Sequence, residues 1–443
     1  MPLQTIVVGG GICGLSTAIA LRRAGHHVIV YERYSSEADA GAGITIRANA
    51  ARILERWGLD LTSYGALPCT NRLLLDGKSL RIYMESDVAQ QEGERGGLQI
   101  NATRSDLHQL LRREVERPTT GEGTIKVLYD KHIVDYDAER PAVQLAGGTW
   151  KEADLVIACD GIKSKAATII IGKELPAKPT GFSAFRLLLP DAKIREVAQK
   201  FPNDHFIKSR FEKSTGEVWI ATEPPDRVLA WWCCRFDSMH AFDIVIPDHE
   251  SYASSEEWLA RCDKSILLEE FRHWHPLFGE ILSKVEEPLL WKICDRPPIE
   301  SVYRGLLCML GDALHPMGPY RGQGGSQAME DAAVVEMCLR GVTDRAQVPR
   351  RLELLQSLRV PRYACSQMAS TVRQNEPNME EHYQQVLDEA GKWFQGQDQS
   401  HLSDRNTFEI WMDKYDAAGE ASKALERIAA TDYARTCVSS SKI

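Results

Sequence analysis

The chain has 443 residues, 43% of them apolar, with 53 basic against 62 acidic side chains and a net charge of -9. That length and composition support two or three packed substructures rather than a disordered chain, and the acidic balance, with no Lys/Arg-rich run against it, argues against nucleic acid as a partner. Eleven Cys scattered without a CxxC pair read as reduced thiols, not a disulfide framework or a zinc site.

Residues 4–9, QTIVVG, form a β-branched run entering Gly9-Gly10-Gly11-Ile12-Cys13-Gly14. The run lacks the basic flank of a signal peptide, and no stretch approaches the roughly 18 apolar residues of a membrane span. A soluble, cytoplasmic protein is expected. Leu15, Ile19 and Leu21 then mark a helix that stops at Ala24-Gly25, and the strand 27–31 ends at Glu32 and Arg33, which completes a βαβ unit. In such a unit Gly9 makes the tight turn, Gly11 admits a pyrophosphate close to the backbone and Gly14 lets helix and strand touch. The positive helix terminus faces the phosphates, and Glu32 accepts hydrogen bonds from ribose hydroxyls. This unit predicts a dinucleotide without separating NAD from FAD, so a plain NAD-dependent dehydrogenase stays open at this point.

Arg47, after Gly43-Ile44-Thr45-Ile46, either neutralises a pyrophosphate through a bidentate contact or forms a surface salt bridge. A further strand, 154–159, ends at Asp160-Gly161. From 181 to 294 apolar and polar residues alternate and Trp is frequent (Trp219, Trp231, Trp232, Trp291). This pattern predicts an inserted antiparallel sheet bounding a broad apolar pocket, with a shorter excursion to the same side near 70–100. Within it, Phe182-Ser183-Ala184-Phe185-Arg186 sets a cation beside Phe185 and Leu187, where it is either paired or faces a cavity. The neighbours Cys233 and Cys234 face opposite sides of a strand and read as buried, unreactive thiols.

The chain returns to its first texture at 305–311. Gly311-Asp312 sets a carboxylate where it would bond ribityl hydroxyls, and His315-Pro316 with Pro319 begins a rigid loop. Gly322, Gly324 and Gly325 let that loop pass close to a flat ring. A helix from near Ser326 through Glu330-Asp331 to Leu339 aims its first amides at the pyrimidine edge of a flavin. This motif decides for FAD, and His315 reads as a loop-stabilising residue in preference to an acid/base. Beyond 366, amphipathic stretches carry Trp393, Phe394, Trp411 and Tyr415, read as packing onto the main body in preference to a membrane or a partner. The last residues, Ser441-Lys442-Ile443, are similar to a peroxisomal address with its final residue changed, so a peroxisomal location stands beside the cytoplasmic one.

The expected fold class is α/β: a Rossmann-like FAD-binding domain (1–180 and 295–365), an inserted mainly antiparallel β-sheet substrate domain (181–294) and a helical C-terminal segment (366–443).

In this order the motifs resemble the group A FAD-dependent aromatic monooxygenases, the family of para-hydroxybenzoate and salicylate hydroxylases, and among them the fungal natural-product branch. The resemblance covers about residues 4–365. It implies that Glu32 binds the adenosine ribose, that Gly43 lies beside the flavin, and that Arg104 in Arg104-Ser105-Asp106-Leu107 contacts the FAD phosphate or ribityl region. Asp312 and Gly325 complete the cradle. Asp160-Gly161, with Ser164, matches a motif tied to both FAD and the nicotinamide, but Lys165-Ala166 stands where the family has Arg. Arg186 falls at a catalytic position, whereas the Tyr often found some thirty residues later is missing from Glu217-Val218-Trp219-Ile220 and Leu229-Ala230-Trp231-Trp232.

The reaction implied is reduction of FAD by NADPH or NADH, addition of O2 at flavin C4a to give a hydroperoxide, and transfer of one oxygen atom to an aromatic or indole-type small molecule by hydroxylation or epoxidation. The cofactor carries the hard chemistry, so neither a nucleophile triad nor a metal cluster is needed. Two alternatives are a flavin-dependent halogenase, which would need a Lys and a WxWxIP segment not found here, and a flavin-binding regulatory protein without turnover. A monomer or weak homodimer is expected.

Overall fold

Gln4–Val8 is the centre of a six-stranded sheet, parallel to His27–Tyr31 on one side and to Leu155–Ala158 on the other. Ile125–Leu128 extends one wing, and Leu307–Met309 and the antiparallel edge Tyr303–Arg304 extend the other. All four residues of Leu155–Ala158 are buried, as expected of a parallel strand covered on both faces. Fully burying each such Val, Ile or Leu contributes roughly 1.5–3 kcal/mol. The helices Ile12–Arg23 and Gly324–Leu339 pack together over this sheet, buried over most of their length. The computed structural model describes residues 1–35, 42–118, 121, 123–212, 216–221, 226–249, 262–373 and 376–440, without the side chains of 211–212, 217–221 and 432–440. Gly41, the side chain of Trp219 and the Ser441–Ile443 address therefore lie outside the described residues.

A seven-stranded sheet runs in the order Leu290–Asp295, Lys178–Pro190, Met239–Pro247, Val228–Cys234, Gly216–Ala221, Asn71–Asp76 and Ile82–Asp87. The excursion near residue 70 thus joins the inserted sheet, and it does so by a parallel pairing of Asn71–Asp76 with Gly216–Ala221 in an otherwise antiparallel arrangement. The period of two along each strand sorts its two faces. Phe185, Leu187, Leu229, Trp231, Phe242 and Ile244 pack with helices Lys264–Glu270 and Pro276–Leu282 into one core. Ala184, Arg186, Ala230, Trp232, Asp243 and Val245 point the other way, into a cavity. Trp231 accordingly belongs to the core, stacked on Phe242 with ring centroids 5.2 Å apart, and of the four tryptophans read as pocket-forming only Trp232 and Trp291 line the cavity among the described side chains. Cys233 and Cys234 are both buried, and burial pushes the Cys234 thiol up to about 12.

Helix Val348–Ala369 runs straight through residue 366, where the sequence texture changes. The later helices Met379–Ala390, Arg405–Lys414 and Ala417–Ser440 return to the body. Their aromatic residues face inward: Trp411 stacks on His401 at 4.2 Å, and Arg362 sits over the rings of Trp411 and Tyr415 at 4.4 and 4.3 Å. Among the described residues no helix is long and apolar enough to cross a membrane.

Four charged side chains, none more than 1% exposed, join these layers. Arg359 pairs with Glu330 at 2.6 Å and with Asp331 at 2.7 Å, and Arg362 pairs with Glu330 at 2.8 Å while donating to the Met412 carbonyl at 2.5 Å. Removing one guanidinium leaves two buried carboxylates short of a countercharge, which costs about 3–5 kcal/mol. Arg359→Met is therefore expected to destabilise the chain by that amount in urea unfolding followed by far-UV circular dichroism. A loss below about 1 kcal/mol would show that the cluster does not hold the helices together.

Candidate functional site

Between the two sheets lies a cavity of about 1620 Å³. All candidate residues named from the sequence line it (Gly9, Gly11, Glu32, Arg33, Gly43, Arg47, Arg104, Asp160, Arg186, Asp312, Gly322, Gly324 and Gly325), with the exception of Gly14. Gly14 acts from behind: a Cβ there would lie 1.8 Å from the Gly9 carbonyl oxygen, so only glycine lets the helix start against the turn. Gly9 has φ +102°, and a side chain would meet Cys159 O at 2.4 Å. Gly11 differs, since nothing lies within 4 Å of its Cβ direction and it borders the cavity. That open side, at a helix start whose Gly11 cap offers no side-chain hydrogen bond, is a cradle for a diphosphate.

Glu32 is held by two amides, Gly10 N–H to Oε2 at 2.5 Å and Tyr34 N–H to Oε1 at 2.8 Å. Its neighbour Arg33 lies 4.6 Å over the Tyr34 ring and is solvent-exposed at the rim. At the other end, burial pushes the Asp312 carboxyl up, opposed by the charges of His315, Arg186, Arg296 and Arg104. The loop that follows turns at Pro319–Arg321 and Gly322, where φ is +60°, then opens helix Gly324–Leu339. A Cβ on Gly324 or Gly325 would have neighbours no nearer than 3.9 and 3.5 Å, the side chains of Met317 and Ile44, so this edge is open enough for a flat ring. The donor set, the open glycines and the buried carboxylate fit FAD.

For other residues the structure adds partners that the sequence did not reveal. Gly43 borders the cavity, but its lack of a side chain is required by Trp232, which a Cβ would meet at 2.4 Å. Arg47 forms neither a surface salt bridge nor an open anion clamp: its guanidinium is held bidentately by Asp413 at 2.9 and 2.6 Å and reaches Gln99 at 2.9 Å. Asp160 accepts from the Tyr136 hydroxyl at 2.5 Å, and burial raises its carboxyl. Lys165, at the position where the family has Arg, donates to the Val134 carbonyl at 2.9 Å. His315 is fully buried, bonded to Asp331 at 2.7 Å and stacked on Tyr363, a structural role.

Arg186 is both paired and facing the cavity. It stands opposite Asp243 in the strand register, 3.1 Å from its carboxylate, with Trp291 4.8 Å beneath the guanidinium. Asp243 escaped the sequence reading, although a lone carboxylate in the run AFDIVI was the signal. Tyr320, Tyr383, Arg321, Arg405 and Glu409 also line the cavity and were missed: Tyr320 and Arg321 sit inside a motif read only for its glycines, and the others belong to helices distant in sequence.

Glu409 is held far from its ordinary ionisation. Burial pushes its carboxyl up, but Arg321, Arg405 and Arg47 outweigh burial and hold it at about 2, against an ordinary 4.5. A folded value below the unfolded one means that its contribution is complete above pH 4.5 and disappears as pH falls toward 2. Acid titration followed by near-UV circular dichroism is expected to show loosening of the C-terminal helices in that window, with a shallower slope for Glu409→Gln. An unchanged slope would remove Glu409 from the account.

Residues 2–363 match the family described as FAD binding domain. The chain is 31% identical to the FAD-dependent monooxygenase cfoG of Aspergillus candidus over 96% of this chain and 95% of that protein. It is 29% identical to 6-hydroxynicotinate 3-monooxygenase of Pseudomonas fluorescens over 76% of this chain and 82% of that one. Among solved structures, a salicylate hydroxylase substrate complex aligns with TM-score 0.70 at 22% identity, covering 95% of this chain and 97% of that one. CtdE with FAD and a substrate aligns with TM-score 0.76 at 21% identity, covering 97% and 100%; at such identities the likeness concerns the fold.

Proposed function

Since the chain belongs to the FAD binding domain family, as an FAD-dependent monooxygenase of the aromatic hydroxylase type, we propose that it uses NADPH or NADH and O2 to hydroxylate or epoxidise an aromatic or indole-type small molecule held between the two sheets. The observation that carries this reading is that one cavity is bordered by the phosphate turn, by Asp312 and by the Arg186–Asp243 pair. When bound, FAD supplies electron uptake from the nicotinamide, activation of O2 and delivery of one oxygen atom. The protein binds, orients and keeps water out.

In this reading the Gly9–Gly14 turn and the helix after it hold the diphosphate, and Glu32, fixed by the amides of Gly10 and Tyr34, takes the adenosine ribose. Asp312 takes the ribityl chain. The first amides of Gly324–Leu339 would stabilise negative charge on a bound flavin ring. Ala184, Trp232, Val245 and Trp291 form an apolar wall that excludes water from the reacting carbon. Arg186, kept in place by Asp243 and seated on Trp291, holds a substrate oxygen in its anionic form and so raises electron density on the ring. The placement of Lys165 on a backbone carbonyl leaves Asp160 as the anchor proposed for the nicotinamide side. The similarity to a fungal monooxygenase supports a place in secondary metabolism.

Reconstitution with FAD is expected to give a yellow protein whose NAD(P)H oxidation and O2 uptake rise when an aromatic substrate is added. Arg186→Ala should lower kcat/KM about 100-fold, in the range of one lost electrostatic contact, with FAD content unchanged and partial recovery in Arg186→Lys. Absence of flavin absorbance after incubation with FAD sinks the reading as a whole, and full turnover in Arg186→Ala removes that residue's role.

A further inference from the structure

Arg296 directly follows the last strand of the inserted sheet, Leu290–Asp295. It borders the cavity and is only 4% exposed. Its guanidinium reaches both segments that carry the carboxylates assigned to the cofactor side. Nη2 donates to the main-chain carbonyls of Asp312 and Ala313, each at 3.1 Å, and of Ile162 at 3.4 Å, while Nη1 donates to that of Leu175 at 3.4 Å. Among the described residues these carbonyls are its only side-chain hydrogen-bond partners. The Arg296 backbone is pinned as well: Gln367 Nε2 donates to its carbonyl and to that of Pro316, each at 2.8 Å, which ties the residue to the loop after Gly311-Asp312.

A cation buried without a bonded carboxylate is costly unless its surroundings compensate. The carbonyl dipoles do part of this. Burial pushes the Arg296 guanidinium down, and the charges of Asp312 and Asp160 oppose that through space, without a bond to it. This arrangement leaves both carboxylates with oxygens to offer: Asp160 takes the Tyr136 hydroxyl at 2.5 Å, and Asp312 borders the cavity. A guanidinium bonded to the Asp312 carboxylate would occupy the oxygens that a ribityl chain needs. Bonded to the main-chain carbonyl of the same residue, it fixes the turn and still keeps its charge close. One planar fork with several donors spans the two segments, whereas a lysine ammonium is a single point and does not.

Resting on the reading of this cavity as an FAD site, we propose that Arg296 is a positioning residue for the cofactor: it clamps the segment after Asp160-Gly161 to the Gly311-Asp312 turn, and its buried charge favours the negative charge that a bound flavin gains on reduction. The two effects are separable, because the clamp depends on the fork and the field depends on the charge.

The test uses the full-length protein and two readings: the Kd for FAD, from flavin fluorescence, and the midpoint potential of the bound flavin, from equilibration with a reference dye. A merely structural residue would not move the second reading with the sign of its charge. Arg296→Gln, which lacks both fork and charge, is expected to weaken FAD at least tenfold. It should also shift the balance between reduced and oxidised flavin about tenfold towards the oxidised form, a fall of about 30 mV for a two-electron couple. Arg296→Lys, which keeps the charge, should weaken FAD yet hold the midpoint near the wild-type value. An Arg296→Gln protein with wild-type Kd and midpoint, in which only the melting temperature falls, overturns the proposal. So does a midpoint that falls as far in Arg296→Lys as in Arg296→Gln, since the shift then does not follow charge. Should Arg296→Gln not fold, Arg296→Lys still decides, because an unchanged Kd with the fork removed overturns the clamp. FAD-loaded protein indifferent to Arg296 sinks only this inference, whereas a wild type that takes up no FAD fails the reading of the cavity itself.

Discussion

Glu330 and Asp331 are adjacent residues of one helix, and neither touches water. Two buried carboxylates side by side repel each other and lose their hydration, so they survive in ionised form only if cations are brought to them. Arg359 and Arg362 do this from the next helix, and Asn49, Gly311 N–H and His315 take up the remaining oxygen lone pairs. For Asp331, burial pushes the carboxyl up, yet His315 and Arg359 outweigh it and hold it at about 2. The cluster fixes the distance between the helix that opens at the flavin loop and the layer behind it. Through Arg362 it also reaches Met412, which ties the C-terminal helices to the same point. The position of Gly322–Gly325 against the nucleotide sheet follows from this arrangement.

A second constraint is the period of two in the inserted sheet. Each strand must fill a core on one face and bound a cavity on the other, so neighbouring residues have unrelated tasks. Trp231 is packing and Trp232 is cavity wall; Phe242 is packing and Asp243 holds Arg186. Polar residues on the cavity face are dear in the free energy of folding unless paired, and the cross-strand register supplies the pair, since Arg186 and Asp243 are direct neighbours.

How much of this was legible beforehand depended on the range of the forces involved. The Gly9–Gly14 turn, Glu32 and the Gly311–Gly325 loop are local devices in which a backbone angle or a close approach demands a residue type at a fixed spacing, and they read directly from the chain. Arg47 was left between two partners because its real one, Asp413, is 366 residues away. Gly43 borders the cavity, but the further demand that Trp232, on another sheet, makes for a glycine there could not be read from its own stretch of chain. The Arg359–Glu330 cluster was invisible for the same reason: charged residues on two long helices look like solvated faces until the helices are set against each other.

The same distinction separates the two halves of the site. The cofactor half is built from turns and helix starts within residues 2–363, the span that matches the family. Tyr383, Phe408 and Met412 also line the cavity but lie beyond that span, where Arg47, Arg95 and Arg362 tie the C-terminal helices to the body. Cofactor chemistry needs a rigid, stereotyped cradle, and local motifs supply it. The part of the cavity wall that comes from the C-terminal helices is held by long-range ion pairs instead, and because their partners lie hundreds of residues apart, short motifs do not encode them.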